Sequence, residues 1–300
     1  TANAVAHAHA QPWLLDVDEN SWTLSPEALD EALKTETVAG GDGRPVHRAS
    51  GKRVAAIVPV YTLGLPADMD PIAATARAHG LPIVADAAAA LGATYKGRAI
   101  GDLGADLTMF SFNGNKTVTS GGGGAVSGND KALVDLFRHL TTTARVGADY
   151  DHDQVGFNYR MTNLQAAVGC AQMELLPQFV EKKRVISRFY NEAFRDLKQV
   201  QQFPAPNYAE SACWFSGVVL KSGDSAPLRA ALRVAGVDAR PFWKPMHFQK
   251  PFADAPRGSL RVCEQVWQRI VTLPCSTGIS DAELQTVAAA VRSELEKKMT

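Results

Sequence analysis

The chain has 300 residues, 46% hydrophobic and 21% charged, with 31 basic groups against 31 acidic ones. That length supports two lobes rather than one. The charge balance leaves no global field for nucleic acid or an anionic membrane, so a small-molecule substrate is expected. Cys170, Cys213, Cys263 and Cys275 form no CxxC pair and have no metal-ligand spacing to a histidine, which predicts reduced thiols and no metal site. No apolar run reaches the ~18 residues of a membrane helix, and no charged leader precedes an apolar stretch. A cytoplasmic location is expected.

In chain order, TANAVAHAHA (residues 1–10) predicts an alanine-rich helix, so the sequence reads as beginning inside a domain. Residues 12–18, PWLLDVD, have the apolar run and following turn of a buried strand. SPEALDEAL then starts a helix: Ser25 stands at the N-cap, Pro26 in the first turn, and acidic groups near the positive end of the dipole. Residues 40–53, GGDGRPVHRASGKR, predict a polar surface loop. Buried strands are expected at 54–61, 82–85 and 107–111, with a helix at 70–79. Strands alternating with helices imply a mostly parallel sheet covered on both faces, with ligands at the carboxyl ends of its strands.

From residue 162 to 197 the apolar spacing predicts one long linking helix. Beyond it, SACWFSGVVL, LRAALRVAG and a closing helix rich in Ala, Val and Glu suggest a small α+β lobe. The expected division is a large domain over 1–172, followed by a linking helix and small domain over 173–300.

Two segments at strand ends carry the candidate chemistry: IVADAAAALG around Asp86 and MFSFNGNKTVTSGGGG around Lys116. Taken singly, the aspartate reads as a cap and the lysine as a surface group. Together they match a need, because an aldehyde cofactor takes an amine for its Schiff base and a carboxylate for its pyridine nitrogen. Ser111, Asn113 and Asn115 add a hydroxyl and two amides in the same turn, suited to a phosphate or simply to a polar turn. The run Thr119–Gly124 lacks a GxGxxG or GK[ST] arrangement and reads as a tight turn beside the lysine.

SFNGNK, the upstream VADAAAALGA and GFNYRMTNLQAAVGCAQMELL together resemble the DegT/DnrJ/StrS family of sugar aminotransferases. The likeness runs along essentially the whole chain, through LDVD, AAIVPVYTLGLPADMD and RPFWKPMH in the family's order. SFNGNK, LTTTARV and GCAQMELL look most like the branch that aminates UDP-linked 4-keto-6-deoxy-N-acetylhexosamines for legionaminic-acid-type sugars. The resemblance implies an α/β fold of fold type I, with pyridoxal phosphate as cofactor. It makes Lys116 the Schiff-base lysine, Asp86 the partner of the pyridine nitrogen, Ser111 a phosphate ligand and Asn158 a phosphate ligand acting across a homodimer with shared active sites. Family members with histidine in place of the lysine run dehydration, so Lys116 favours transamination.

Two features depart from the family's pattern. Ala85 and Ala89 stand where the family has Glu and a polar residue beside the cofactor ring. The family's Gly-Ser/Thr phosphate loop and ring-stacking aromatic residue lie upstream of the position of Thr1, so the sequence reads as truncated; phosphate anchoring would then fall to Ser111 and Asn158, with low cofactor affinity. The implied reaction moves an amino group from an amino acid, L-glutamate being expected, to the 4-keto carbon of a UDP-sugar. Rival readings are a pyridoxal-phosphate enzyme of ordinary amino acids and an inactive or regulatory homologue. Asn3, Arg240, Trp243 and His247 are candidates for sugar or nucleotide contacts, but each reads more readily as a packing or interface residue and none is assigned to the site.

Overall fold

The computed structural model describes residues 1–297. The helix at the start spans Ala2–His7. The segment expected as a strand over 12–18 is extended but makes only isolated bridges, Leu14 with Arg257 and Val17 with Leu24. Its distant partner contributes a single pairing, so no ladder forms. Ser25 caps helix Pro26–Thr35, its hydroxyl accepting from the Ala28 N–H at 3.1 Å. The expected surface loop over 40–53 proves partly ordered: Pro45–His47 pairs antiparallel with Thr37–Ala39.

The sheet that carries the candidate residues is short. Strand Val84–Asp86 runs parallel to Leu107–Ser111, with Asp86 opposite Met109, and Gly124–Ser127 closes the far side antiparallel. The expected strand over 54–61 lies along Val84–Asp86 in parallel, yet only as bridges at Ile57 and Val60. Pro59 accounts for the break, since it has no N–H to donate to a ladder. Its carbonyl still accepts from Asp86 N–H at 2.9 Å, and Tyr61 N–H donates to the Asp86 carbonyl at 2.9 Å. Helix Met69–Ala78 packs Ile72, Ala73 and Ala76 into the core beneath, together with Ile83, Ala85 and Tyr95.

The long linking helix is two helices, Asn163–Glu174 and Leu176–Ala193. Pro177 is the physical reason: in a continuous helix its ring would clash with the carbonyl one turn earlier, and it has no N–H for the ladder. It sits well in the first turn of the second helix, where that N–H has no partner to lose. The first helix opens on a capping box between Thr162 and Gln165.

A second core is built on a four-stranded antiparallel sheet of Val200–Gln201, Ser216–Leu220, Ile270–Leu273 and Arg240–Pro241, in that order. Helices Leu176–Ala193, Ala226–Val234 and Asp281–Glu296 cover it through Ile186, Tyr190, Leu228, Leu232 and Val291. The expected α+β character of this region is present. Gly217 permits its tightest approach: a Cβ there would lie 1.9 Å from the Val271 carbonyl oxygen.

Candidate active site

Asp86 ends its strand at the carboxyl edge of the sheet and is 8% exposed. Its carboxylate accepts from the Ala88 N–H at 3.1 Å and from the Thr1 hydroxyl. Such donors hold a buried carboxylate in place and offset part of its lost hydration.

Lys116 follows the neighbouring strand after a turn closed by its own N–H, which donates to the Asn113 carbonyl at 3.0 Å. Its side chain is half-buried. Burial pushes the ammonium below the ordinary lysine range, and the negative charge of Asp86 opposes part of that shift. Amine and carboxylate are therefore brought to one place by parallel strands, as the strand-end spacing suggested. Ser111, the last residue of its strand, accepts from Asn113 N–H at 3.3 Å, so its hydroxyl proton is not committed to that bond.

Asn158 is placed differently. It lies in an exposed stretch, bridged antiparallel to Thr142, and its neighbours Phe157 and Tyr159 stack on each other with ring centroids 5.0 Å apart. Among the described residues, no hydrogen bond or bridge joins it to Lys116 or Asp86.

Of the candidate substrate contacts, His247 is buried and hydrogen-bonded through Nε2 to Glu264 at 2.8 Å, and Arg240 is paired with Asp238. Packing and ion pairing account for both. Asn3 sits exposed in the first helix. Trp243 is 51% exposed and stacks on Trp214, centroids 5.6 Å apart.

Trp214 itself was not singled out by sequence reasoning. The Lys116 Nζ lies 3.6 Å from the centroid of its ring. Its segment, SACWFSGVVL, reads as the lead-in to a buried strand, and no local signal ties it to a lysine so far upstream.

The four cysteines are free. Among the described residues, no cluster of His, Cys, Asp and Glu could hold a metal ion, and no helix is long and apolar enough to cross a membrane.

A carbonyl cofactor bearing a phosphate suits the residues present. The site offers an amine of lowered basicity, an anchored carboxylate near enough to influence it and a hydroxyl at the strand end before the turn. The hydroxyl of Thr117, next to Lys116, is buried without a hydrogen-bond partner among the described residues. An unsatisfied hydroxyl at that depth is costly unless a bound acceptor or donor meets it.

Comparison with known proteins agrees with this geometry. Residues 1–292 match the DegT/DnrJ/EryC1/StrS aminotransferase family. The chain is 36% identical to EpsN of Bacillus subtilis, whose name is that of a pyridoxal phosphate-dependent aminotransferase, over 94% of this chain and 71% of the relative. It is 34% identical to the GDP-perosamine synthase of Caulobacter vibrioides, over 97% of this chain and 75% of the relative. A crystal structure of a DegT DnrJ EryC1 StrS aminotransferase from Brucella abortus superposes with a TM-score of 0.87 at 29% identity, over 98% of this chain and 76% of that one. The chain belongs to the DegT/DnrJ/EryC1/StrS aminotransferase family. It has the fold-type-I architecture and pyridoxal phosphate as its cofactor.

Proposed function

We propose that this pyridoxal-phosphate-dependent nucleotide-sugar aminotransferase moves an amino group from L-glutamate to the 4-keto carbon of a UDP-linked 6-deoxy sugar, with Lys116 as the residue that binds the cofactor. The observation that carries the assignment is a half-buried Lys116 in the turn that follows strand Leu107–Ser111, with burial lowering its basicity against the opposing charge of Asp86 at the end of the adjacent parallel strand. When bound, pyridoxal phosphate supplies an aldehyde carbon that takes up nitrogen and a ring that spreads the charge left when a carbon-bound proton departs.

The chain's own residues do the rest. Lys116 Nζ would hold the cofactor through its aldehyde carbon; as a free amine it would take the proton that leaves the donor's α-carbon in one half-reaction and deliver the proton to the sugar carbon in the other. Its lowered basicity keeps the neutral amine available for both tasks. The Asp86 carboxylate would pair with the ring nitrogen and favour its protonated form, which would make the ring a better acceptor of negative charge. Ser111 and Thr117 would offer hydroxyl protons to the phosphate.

Asn158 completes the site of a neighbouring subunit in a homodimer. Its own exposure supports that reading, as does the apolar surface around it. Tyr159 is 73% exposed and Leu164 83%, with Val155, Phe157 and Val168 also outward. A surface of this kind marks an interaction site. A cytoplasmic setting, in which all four thiols stay reduced, belongs to the same proposal.

Borohydride reduction followed by peptide mapping tests the central assignment: the cofactor is expected on Lys116. A label on another lysine, or none from a protein that binds the cofactor, overturns it. Turnover with L-glutamate and paired UDP- and GDP-linked keto sugars, ketone at carbon 4 or carbon 3, then reads the substrate. Faster turnover of the UDP-linked 4-keto sugar is the expected result. Preference for a GDP-linked or a 3-keto sugar would refute the substrate while leaving Lys116 in place.

A further inference from the structure

Trp214 is held from three directions. Its N–H donates to the Leu63 carbonyl at 3.1 Å, and its indole Nε1–H donates to the Asn115 carbonyl at 2.8 Å. Its own carbonyl accepts from Lys183 Nζ at 2.9 Å. Lys183 is a buried lysine on helix Leu176–Ala193, and it also donates to the Cys275 carbonyl at 2.7 Å.

The backbone around this residue is unusual. Cys213 has φ +51° and Leu63, which receives the Trp214 N–H, has φ +59°. Non-glycine residues rarely occupy that region, and they persist there when surrounding contacts over-determine the conformation. Gly64, φ +94°, completes the pairing by accepting from the Ala212 N–H at 2.9 Å. The backbone of Trp214 is therefore fixed by contacts remote from Lys116, and its indole by the bond to the Asn115 carbonyl.

What this anchoring presents is a ring face to a cation. Lys116 Nζ stands 3.6 Å from the ring centroid, well inside the ~6 Å range of a cation–π contact. The same indole, through its N–H, grips the carbonyl of Asn115, the residue just before the lysine. We infer that Trp214 is a positioning residue for the transamination: its ring face seats the free ammonium of Lys116, and its N–H fixes the turn that delivers the lysine.

This inference rests on the reading of Lys116 as the cofactor lysine and adds the group that holds it when it is not bonded. A flexible lysine freed in a partly apolar pocket can take many rotamers. A seat that holds the charged amine near its working position lowers the entropic cost of each return. The charged group that faces Lys116 is Asp86, across the strand ends. Lys183 meets Trp214 at its backbone oxygen.

The test is the pH dependence of Lys116 labelling by an amine-reactive reagent, trinitrobenzenesulfonate, in the full chain freed of cofactor and read by peptide mass spectrometry. A ring face that stabilises the ammonium is worth a factor on the order of ten in its protonation. Trp214→Leu should then move the labelling midpoint down by about one pH unit and speed labelling below the midpoint about tenfold. Trp214→Tyr, which keeps a ring face, should restore most of the wild-type profile.

A midpoint that stays or rises in Trp214→Leu would show the indole to be an apolar wall and overturn the inference. Equal shifts in the Leu and Tyr variants would do the same. Trp214→Met, which fills space without a ring face, carries the test if the Leu variant does not fold. In the cofactor-loaded enzyme kcat should fall while KM for glutamate holds, and a change confined to KM counts against the proposal. Labelling requires no cofactor, so its failure is distinct from that of the Lys116 assignment, which borohydride mapping reads.

Discussion

The turn around Lys116 and the segment around Asn158 are both polar stretches of the same chain, yet they are finished to different degrees. Around Lys116 the protein supplies its own partners: a carboxylate at the next strand end, a ring face and a hydrogen bond to the adjoining carbonyl. Around Asn158 it leaves aromatic and aliphatic side chains in solvent, with Phe157 and Tyr159 stacked on each other. The contrast separates a polar cluster closed within the fold from an apolar surface left in solvent, and it accords with the proposal that a second copy covers that surface. Buried polar groups need partners within the fold, whereas an exposed apolar surface gains by acquiring one.

The largest expected effect falls on the finished side. Asp86→Asn should keep the fold, because the amide oxygen can still accept from Ala88 N–H, yet slow the half-reaction with glutamate by roughly three powers of ten as the ring nitrogen loses its anionic partner. Stopped-flow absorbance of the bound cofactor measures it. Near-native rates would remove Asp86 from the site.

Next in size is a test of the unfinished side. Lys116→Ala and Asn158→Ala subunits, each inactive alone, should regain about a quarter of wild-type activity when reassorted at random, because each mixed dimer then has one site with both groups intact. A mixture in which mixed dimers are shown to form but activity does not return would place Asn158 in its own subunit's site and end the contrast drawn above.

The smallest effect concerns the support behind the finished side. Lys183→Met takes the lysine donor from the buried carbonyls of Trp214 and Cys275, leaving the first with only the weak Cys275 thiol, and should cost about 1–3 kcal/mol of stability. Thermal unfolding of the two proteins reads it. An unchanged or raised melting temperature would mean that relief from burying the ammonium repays the lost bonds, and that Trp214 does not need this anchor.

Where local chemistry decides an element, the amino-acid sequence was enough. Ser25 with Pro26 specifies a helix start from within one turn, and the strand over 107–111 is found with those bounds. The lysine and aspartate were legible because strands alternating with helices put ligands at strand ends, so two chemically matched residues at such ends invite one site. Family resemblance then supplied their roles. Pro59 and Pro177 were visible in the sequence, but how far each would interrupt its run depended on the neighbouring chain. The first leaves bridges in place of a strand, and the second divides a long helix in two.

Tertiary structure alone decided what surrounds the lysine. Trp214 lies 99 positions from the Asn115 carbonyl that it grips, and Lys183 reaches 92 positions to Cys275. Nothing periodic in the sequence records such contacts, since they arise from the packing of a helix and a strand lead-in against a turn of another sheet. Local propensities and periodicity operate over a few residues and can mark which groups have chemistry to offer. The partners that hold those groups in place are set by long-range packing, which brings an indole from a strand lead-in under a lysine from a turn.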